Sequence, residues 1–209
     1  MFDVLLENLN KLLQLRPIIS IFVLLILAVV LLYVSKRTEY NTRVITYGAL
    51  AIAASFVLSY IKIYNFPNGG AITVASMLPL FVFAVIAGPR AGVLAGLCYG
   101  MLQFIQEPFF VHWTQFLLDY PLAFGALGLA GNFKKNIYLG SIIGGIARFG
   151  FHYISGIVFF ASLAGDQNVL IYSFIYNISY ILPDLVICLA ILSIPNVKSA
   201  IQRVGSVSV

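Results

Sequence analysis

The sequence predicts an all-α integral membrane protein, on three observations. The chain of 209 residues is 61% hydrophobic and 9% charged, whereas soluble domains carry roughly 25% charged residues. Its mean hydropathy is +1.01. Its apolar residues gather into runs near the ~20 residues that a helix needs to cross hydrocarbon, parted by short turns rich in glycine, proline and charge. The formal charge of +5 rests on scattered lysines and arginines, which read as topology signals and not as a nucleic-acid surface. Cys98 and Cys188 lie in separate apolar runs, so neither a disulfide nor a metal site is expected.

Seven spans follow, at about 17–35, 44–63, 72–88, 91–107, 115–131, 137–163 and 168–194. The first has its basic residues after the apolar run, and no small-residue cleavage site precedes "YVSKR". It therefore reads as a retained anchor rather than a signal peptide. Small residues in the second ("GALAIAAS", 48–55) permit close helix contact. The turn "GPRAG" (88–92) parts the third from the fourth, and "NFKKN" (132–136) parts the fifth from the sixth. The sixth carries a small-residue face of its own in "GSIIGGIARFG" (140–150), and the seventh contains Pro183. Connections this short make sequential neighbours antiparallel.

Basic residues orient the bundle. Lys36, Arg37, Arg43, Arg90, Lys134, Lys135, Lys198 and Arg203 fall on one side, against Lys11, Arg16 and Lys62 on the other. The positive-inside rule then puts the C-terminus in the cytoplasm and the N-terminus outside. The outer connections of the last six spans are "YNFPNGGAI" (64–72), "QEPFFVHWTQ" (106–115) and "ASLAGDQNV" (161–169). They and the adjoining helix ends hold both histidines, Trp113, several tyrosines and one carboxylate within a span, Asp119.

A bare carboxylate in hydrocarbon is costly, so Asp119 needs a partner, either Arg148 and a neighbouring helix or a ligand. In "RFGFHYISGIVFF" (148–160), His152, Gly156, Phe159 and Phe160 share one helical face, with Arg148 a turn deeper. Tyr172, Tyr176 and Tyr180 recur every fourth residue in the last span, beside Asn177, whose amide needs partners at membrane depth. For Asp184, after Pro183, pairing with Arg148 and capping a kink are both open. The loop residues Pro67, Asn68, Gly69 and Gly70 form a turn signal suited to a lid. One acid, several rings, an imidazole and an amide suit a small, flat, cationic or hydrogen-bonding ligand, since ring faces attract cations. No zinc spacing, nucleophile elbow or Walker motif is present. The chain is thus expected to be no enzyme, to use no cofactor, and to hydrolyse no ATP itself.

From about residue 44 to 195 the chain resembles the thiamine-binding S components, the ThiT type, of energy-coupling factor (ECF) transporters. The resemblance rests on "FPNGGAITVASMLPLFVFAVIAGPRAGVLAGL", "QFLLDYPLAFGALGLAG", "RFGFHYISGIVFF" and "YSFIYNISY", in the family's order and spacing. It implies a six-helix S-component bundle (44–209); the extra N-terminal transmembrane helix and cytoplasmic linker that precede it (1–43) are an addition by which this chain departs from the family. Such a protein captures thiamine from outside a bacterial cell membrane. It works with an ECF module, a membrane coupling subunit plus two cytoplasmic ATPases.

By that resemblance Asp119 faces the aminopyrimidine and thiazolium end of the ligand, and His152 reaches the ligand's polar groups. Tyr172 and Asn177 match a tyrosine and an asparagine of the family's last helix. Phe160 stands where some members stack a tryptophan. A first-loop tryptophan of the family falls within Asn68–Gly70 here, leaving Trp113 as the substitute ring, with Tyr120 a further ring contact. Ala49 and Ala53 match the small-residue face that docks the coupling subunit. Two alternatives stay open: an S component for a related pyrimidine or thiazole precursor, and a solitary proton-coupled vitamin carrier.

Overall fold

The computed structural model describes residues 2–36 and 41–207, with side chains for 16–36, 41–201 and 203–205. Of the basic residues used for orientation, Arg37 and the side chain of Lys11 lie outside that description. Helix α1 (Phe2–Ser35) is followed by α2 (Thr42–Ser59), a hairpin of β1 (Lys62–Asn65) and β2 (Ala71–Thr73), α3 (Leu78–Ala87) and α4 (Pro89–Gln106). Next comes a continuous helical segment, 113–132. It begins as α5 (Trp113–Leu117), widens into a π-helical turn (Leu118–Leu122), resumes as α6 (Ala123–Ala126) and tightens to 3-10 geometry (Leu127–Asn132). Helices α7 (Ile137–Phe159), α8 (Val169–Leu192) and α9 (Pro195–Val207) complete the chain.

Arg16–Ser35 of α1, α2, α7 and α8 are each long and apolar enough to cross a membrane. Helices α3 and α4 and the segment 113–132 pack among α2, α7 and α8, which gives six core spans plus α1. Asparagine side chains start three of the long helices. Asn41 Oδ1 accepts from the Val44 amide at 2.9 Å, Asn136 Oδ1 from Leu139 at 3.1 Å and Asn168 Oδ1 from Leu170 at 2.9 Å. Each satisfies an amide that a helix start leaves without an intrahelical partner.

Close packing of α4 on the segment 113–132 depends on glycine. A Cβ built on Gly96 would lie 2.2 Å from the Phe124 carbonyl oxygen, and one on Gly100 2.4 Å from that of Tyr120. From the other side, a Cβ on Gly128 would lie 2.1 Å from the Val93 nitrogen. In lipid, where apolar burial drives helix association weakly, backbone contact of this kind is a principal source of attraction.

Three features depart from the sequence expectation. Residues 62–73 form an antiparallel hairpin, Tyr64 opposite Ile72 and Asn65 opposite Ala71, so the third helix starts only at Leu78. The β-branched and aromatic residues of "KIYN" and "AIT" flank a turn whose Gly69 has φ +91°, a combination that favours a hairpin over helix. The tail beyond the last span is helical, as α9. Phe159 turns from the expected face toward α1, where it stacks on His112 at 5.2 Å and joins Val23, Leu118 and Val158.

Helix α1 packs against α4, α5 and α7. Ser20 Oγ and Thr114 Oγ1 meet at 2.7 Å, and Arg90 lies over the Tyr33 ring at 5.3 Å. Ala49 and Ala53 on α2 remain exposed, so the extra span does not cover that face.

Candidate ligand-binding site

Between the hairpin, α4, the segment 113–132, α7 and α8 lies a cavity of about 120 Å³. Its central acid is Asp119, in the π-helical turn together with Tyr120 and Pro121. Proline lacks an amide hydrogen, so the regular i to i−4 ladder cannot continue through it, and the wider turn accommodates the gap. A π turn inserts an extra residue into the helix and re-aims its neighbours, and here Asp119 and Tyr120 both line the cavity.

Three groups hold the Asp119 carboxylate. Gln115 Nε2 donates to Oδ2 at 2.8 Å, Ser155 Oγ donates to Oδ2 at 2.9 Å, and His152 Nδ1 lies 3.2 Å from Oδ1. Gln115 is 1% exposed and is itself fixed by the loop before α5, donating to Phe109 O at 3.0 Å and accepting from Val111 N at 3.1 Å. Arg148 Nε, which can only donate, faces His152 Nε2 at 3.5 Å. In the neutral ring this leaves the proton on Nδ1, directed at Asp119.

Arg148 does not pair with Asp119. It lies 3.8 Å from Asp184 Oδ2 and 4.5 Å from the centre of the Phe124 ring. Asp184 in turn accepts from Thr73 Oγ1 at 2.8 Å, which ties the base of the hairpin to α8. Of the two possibilities open for Asp184, pairing with Arg148 is the one realised. Lys62 and Glu107 form an ion pair at the cavity wall. Counting formal charges along the lining, Asp119, Asp184 and Glu107 face Arg148 and Lys62, leaving one carboxylate in surplus. Such a site complements a monovalent cation.

The aromatic walls come from several elements. Phe160 stacks on Phe109, centroids 5.6 Å apart and planes 30° apart. Tyr176 accepts at its hydroxyl from the Asn68 and Gly70 amides, at 3.1 and 3.3 Å, and Tyr172 from Asn68 Nδ2 at 3.3 Å. The hairpin turn thus rests on the tyrosine stripe of α8. Gly70 permits this approach: a Cβ there would lie 2.6 Å from Tyr180 Cδ1. Asn177 uses its amide within α8 and across to α7, donating to Ser173 O at 2.8 Å and to His152 O of α7 at 3.3 Å, while its Oδ1 accepts from Tyr180 at 2.7 Å.

Of the residues singled out from the sequence, Asp119, Tyr120, His152, Phe160, Tyr172 and Asn177 line the cavity, as do Asn68, Gly69 and Gly70. Pro67 and Trp113 do not; Trp113 is 41% exposed and tilts against His112 at 5.6 Å. The ring beside the lid turn is instead Phe109, whose Cβ would be 3.7 Å from a side chain at Gly69. Sequence reasoning also passed over Gln115 and Ser155. Gln115 sits one turn before Asp119, a spacing that was a usable signal; nothing in the sequence marks Ser155.

The fold and cavity define a multi-pass helical membrane protein with a polar, aromatic-lined pocket between its helices. Residues 45–203 match the family described as Thiamine transporter protein (Thia_YuaJ), and the chain belongs to that family. It is 33% identical over 164 residues to "Thiamine transporter ThiT" of Bacillus subtilis (strain 168), covering 69% of this chain and 85% of that one. With "Thiamine transporter ThiT" of Lacticaseibacillus paracasei it shares 30% identity over 149 residues, covering 61% and 74%. A solved structure of ThiT from Listeria monocytogenes superposes with a TM-score of 0.69 at 26% identity, covering 78% of this chain and 98% of that one. Relatives of this kind are named as transporters, a non-enzymatic activity, in line with the sequence expectation.

Proposed function

We propose that this protein captures thiamine from outside the cell as the S component of an ECF transporter. The observation that carries the reading is the Asp119 cluster: a carboxylate held at its rim by Gln115, Ser155 and His152, in a cavity with one negative charge in surplus. Thiamine pairs a permanently cationic thiazolium with an aminopyrimidine that donates and accepts hydrogen bonds. In this reading Asp119 answers the cation and an amino proton, and His152 supplies the second polar contact. Phe109 and Phe160, with Tyr120, offer ring faces, worth about 0.5–2 kcal/mol each toward a cation. The hairpin turn at 67–70 closes the mouth when seated on Tyr172 and Tyr176.

The same reading assigns the N-terminus to the outside and the C-terminus to the cytoplasm. Docking of the coupling subunit, with its two ATPases, falls on the exposed small face of α2 at Ala49 and Ala53. Titrating the purified protein calorimetrically with thiamine, and then with its pyrimidine and thiazole halves separately, tests the ligand. Tight binding of thiamine with much weaker binding of either half supports the reading. Equally tight binding of one half would reassign the protein to that precursor. Uptake driven by a pH gradient into liposomes holding this chain alone would make it a solitary carrier instead.

A further inference from the structure

We propose that the groove at the end of the bundle opposite the cavity binds the phosphate headgroup of an anionic phospholipid. This groove, about 360 Å³, is framed by the 134–138 turn, the C-terminal end of α3, the end of α8 and helix α9. Lys134, Lys135 and Lys198 stand around it, while Val85, Ile86 and Ile201 give it an apolar wall.

Three observations converge on that ligand. Among the described residues none of the three lysines makes an ion pair. Among the described residues the groove's lining also holds no Asp or Glu. An external anion is therefore the partner with which these charges are matched. Second, the groove lies at headgroup depth, because Leu192 ends one membrane-crossing helix and Ile137 begins another, and both line it. Third, its apolar wall rewards an acyl chain and gives nothing to a free inorganic anion.

Helix α9 fits the same picture. Val197, Ile201 and Gly205, at i, i+4 and i+8, are its half-buried positions, while Lys198 is exposed. A short helix with one apolar face and basic residues on the other settles at the membrane surface and recruits anionic lipid.

Native mass spectrometry of the purified full-length protein in detergent tests this, with phosphatidylglycerol and phosphatidylcholine of matched acyl chains added in competition. Phosphatidylglycerol adducts are expected to be retained in preference. In the triple variant Lys134→Gln, Lys135→Gln, Lys198→Gln that preference should disappear, at roughly fivefold per lysine removed, with calorimetric thiamine binding unchanged. Equal retention of the two lipids by the wild type, or an unchanged preference in the triple variant, would overturn the proposal. So would displacement of phosphatidylglycerol by equimolar glycerol phosphate, which would make the site one for a soluble anion. A triple variant that keeps its lipid preference yet no longer co-purifies with the ATPases would reassign the lysines to a protein contact.

Discussion

His152 Nδ1 stands 3.2 Å from Asp119 Oδ1, joining the last turns of α7 to the π-helical turn of the fifth span. Neither residue has a fully compensating charge: Arg148, the nearby guanidinium, is engaged with Asp184. The carboxylate is thus oriented by donors and left free to attract a cation. Replacing Asp119 with Ala is expected to abolish high-affinity thiamine binding, by at least about 100-fold, in line with the cost of removing one partner of a desolvated charge pair. Asp119→Asn, which keeps the size and one acceptor, should recover little of it. Isothermal titration reads both, and wild-type affinity in Asp119→Ala would sink the assignment.

The Arg148–Asp184 pair makes a stability prediction distinct from binding. Among the described residues, removing Arg148 leaves Asp184 buried with Thr73 as its one side-chain partner. Breaking a buried pair in this way costs about 3–5 kcal/mol. Arg148→Ala should accordingly lower the thermal unfolding temperature in detergent well beyond Asp119→Ala. Arg148→Met with Asp184→Leu should restore most of the loss, whereas no recovery would show that the pair does more than neutralise itself.

Lid closure is expected to depend on one hydroxyl. Tyr176 receives two amides of the hairpin turn, from Asn68 and Gly70. At a net worth of roughly 1 kcal/mol per bond, Tyr176→Phe should speed thiamine release by about 5- to 30-fold in stopped-flow displacement. Tyr172→Phe, which forfeits a single side-chain contact at 3.3 Å, should have the smaller effect. The reverse order would move the closing contact to the other ring.

Ring size at Phe160 offers a gain-of-affinity test. Phe160 stacks on Phe109 at the cavity edge, and a larger ring there adds about 0.5–1 kcal/mol of stacking. Phe160→Trp should therefore tighten thiamine binding by roughly two- to fivefold and report it by fluorescence quenching. The native indole, Trp113, lies off the cavity against His112, so wild-type fluorescence should change little on adding thiamine. Strong quenching in the wild type would put the ligand near Trp113 after all.

Much of the architecture was legible because hydrocarbon imposes long apolar runs, and because a carboxylate among them has few permitted explanations. Asp119 declared itself for that reason, and the residues clustered near the outer ends led to His152, Phe160 and Tyr172. What stayed hidden depends on tertiary geometry. Ser155 reads as an ordinary small residue in a helix until α7 is set beside the π turn. Phe109 sits in a loop that Gln115 and Tyr120 hold from a distance in sequence, through bonds to Phe109 O and N. The hairpin's strands are hard to see because residues 64–72 read as an outer loop and the strand ends at 62–63 and 72–73 as the margins of two spans; period alone does not separate such short runs. Helix α9 carries too little hydropathy to register as a span, and its half-buried positions, Val197 and Ile201, show their role only once it is set against α3 and α8.

The three glycines that seat α4 against the fifth span carry a mechanical implication. Backbones in such contact have no side-chain cushion through which to slide, so the acid and its mount travel as one piece with α4. Opening of the pocket is therefore expected of the turn at 67–70, which meets α8 through the hydroxyls of Tyr172 and Tyr176, and not of those two helical segments.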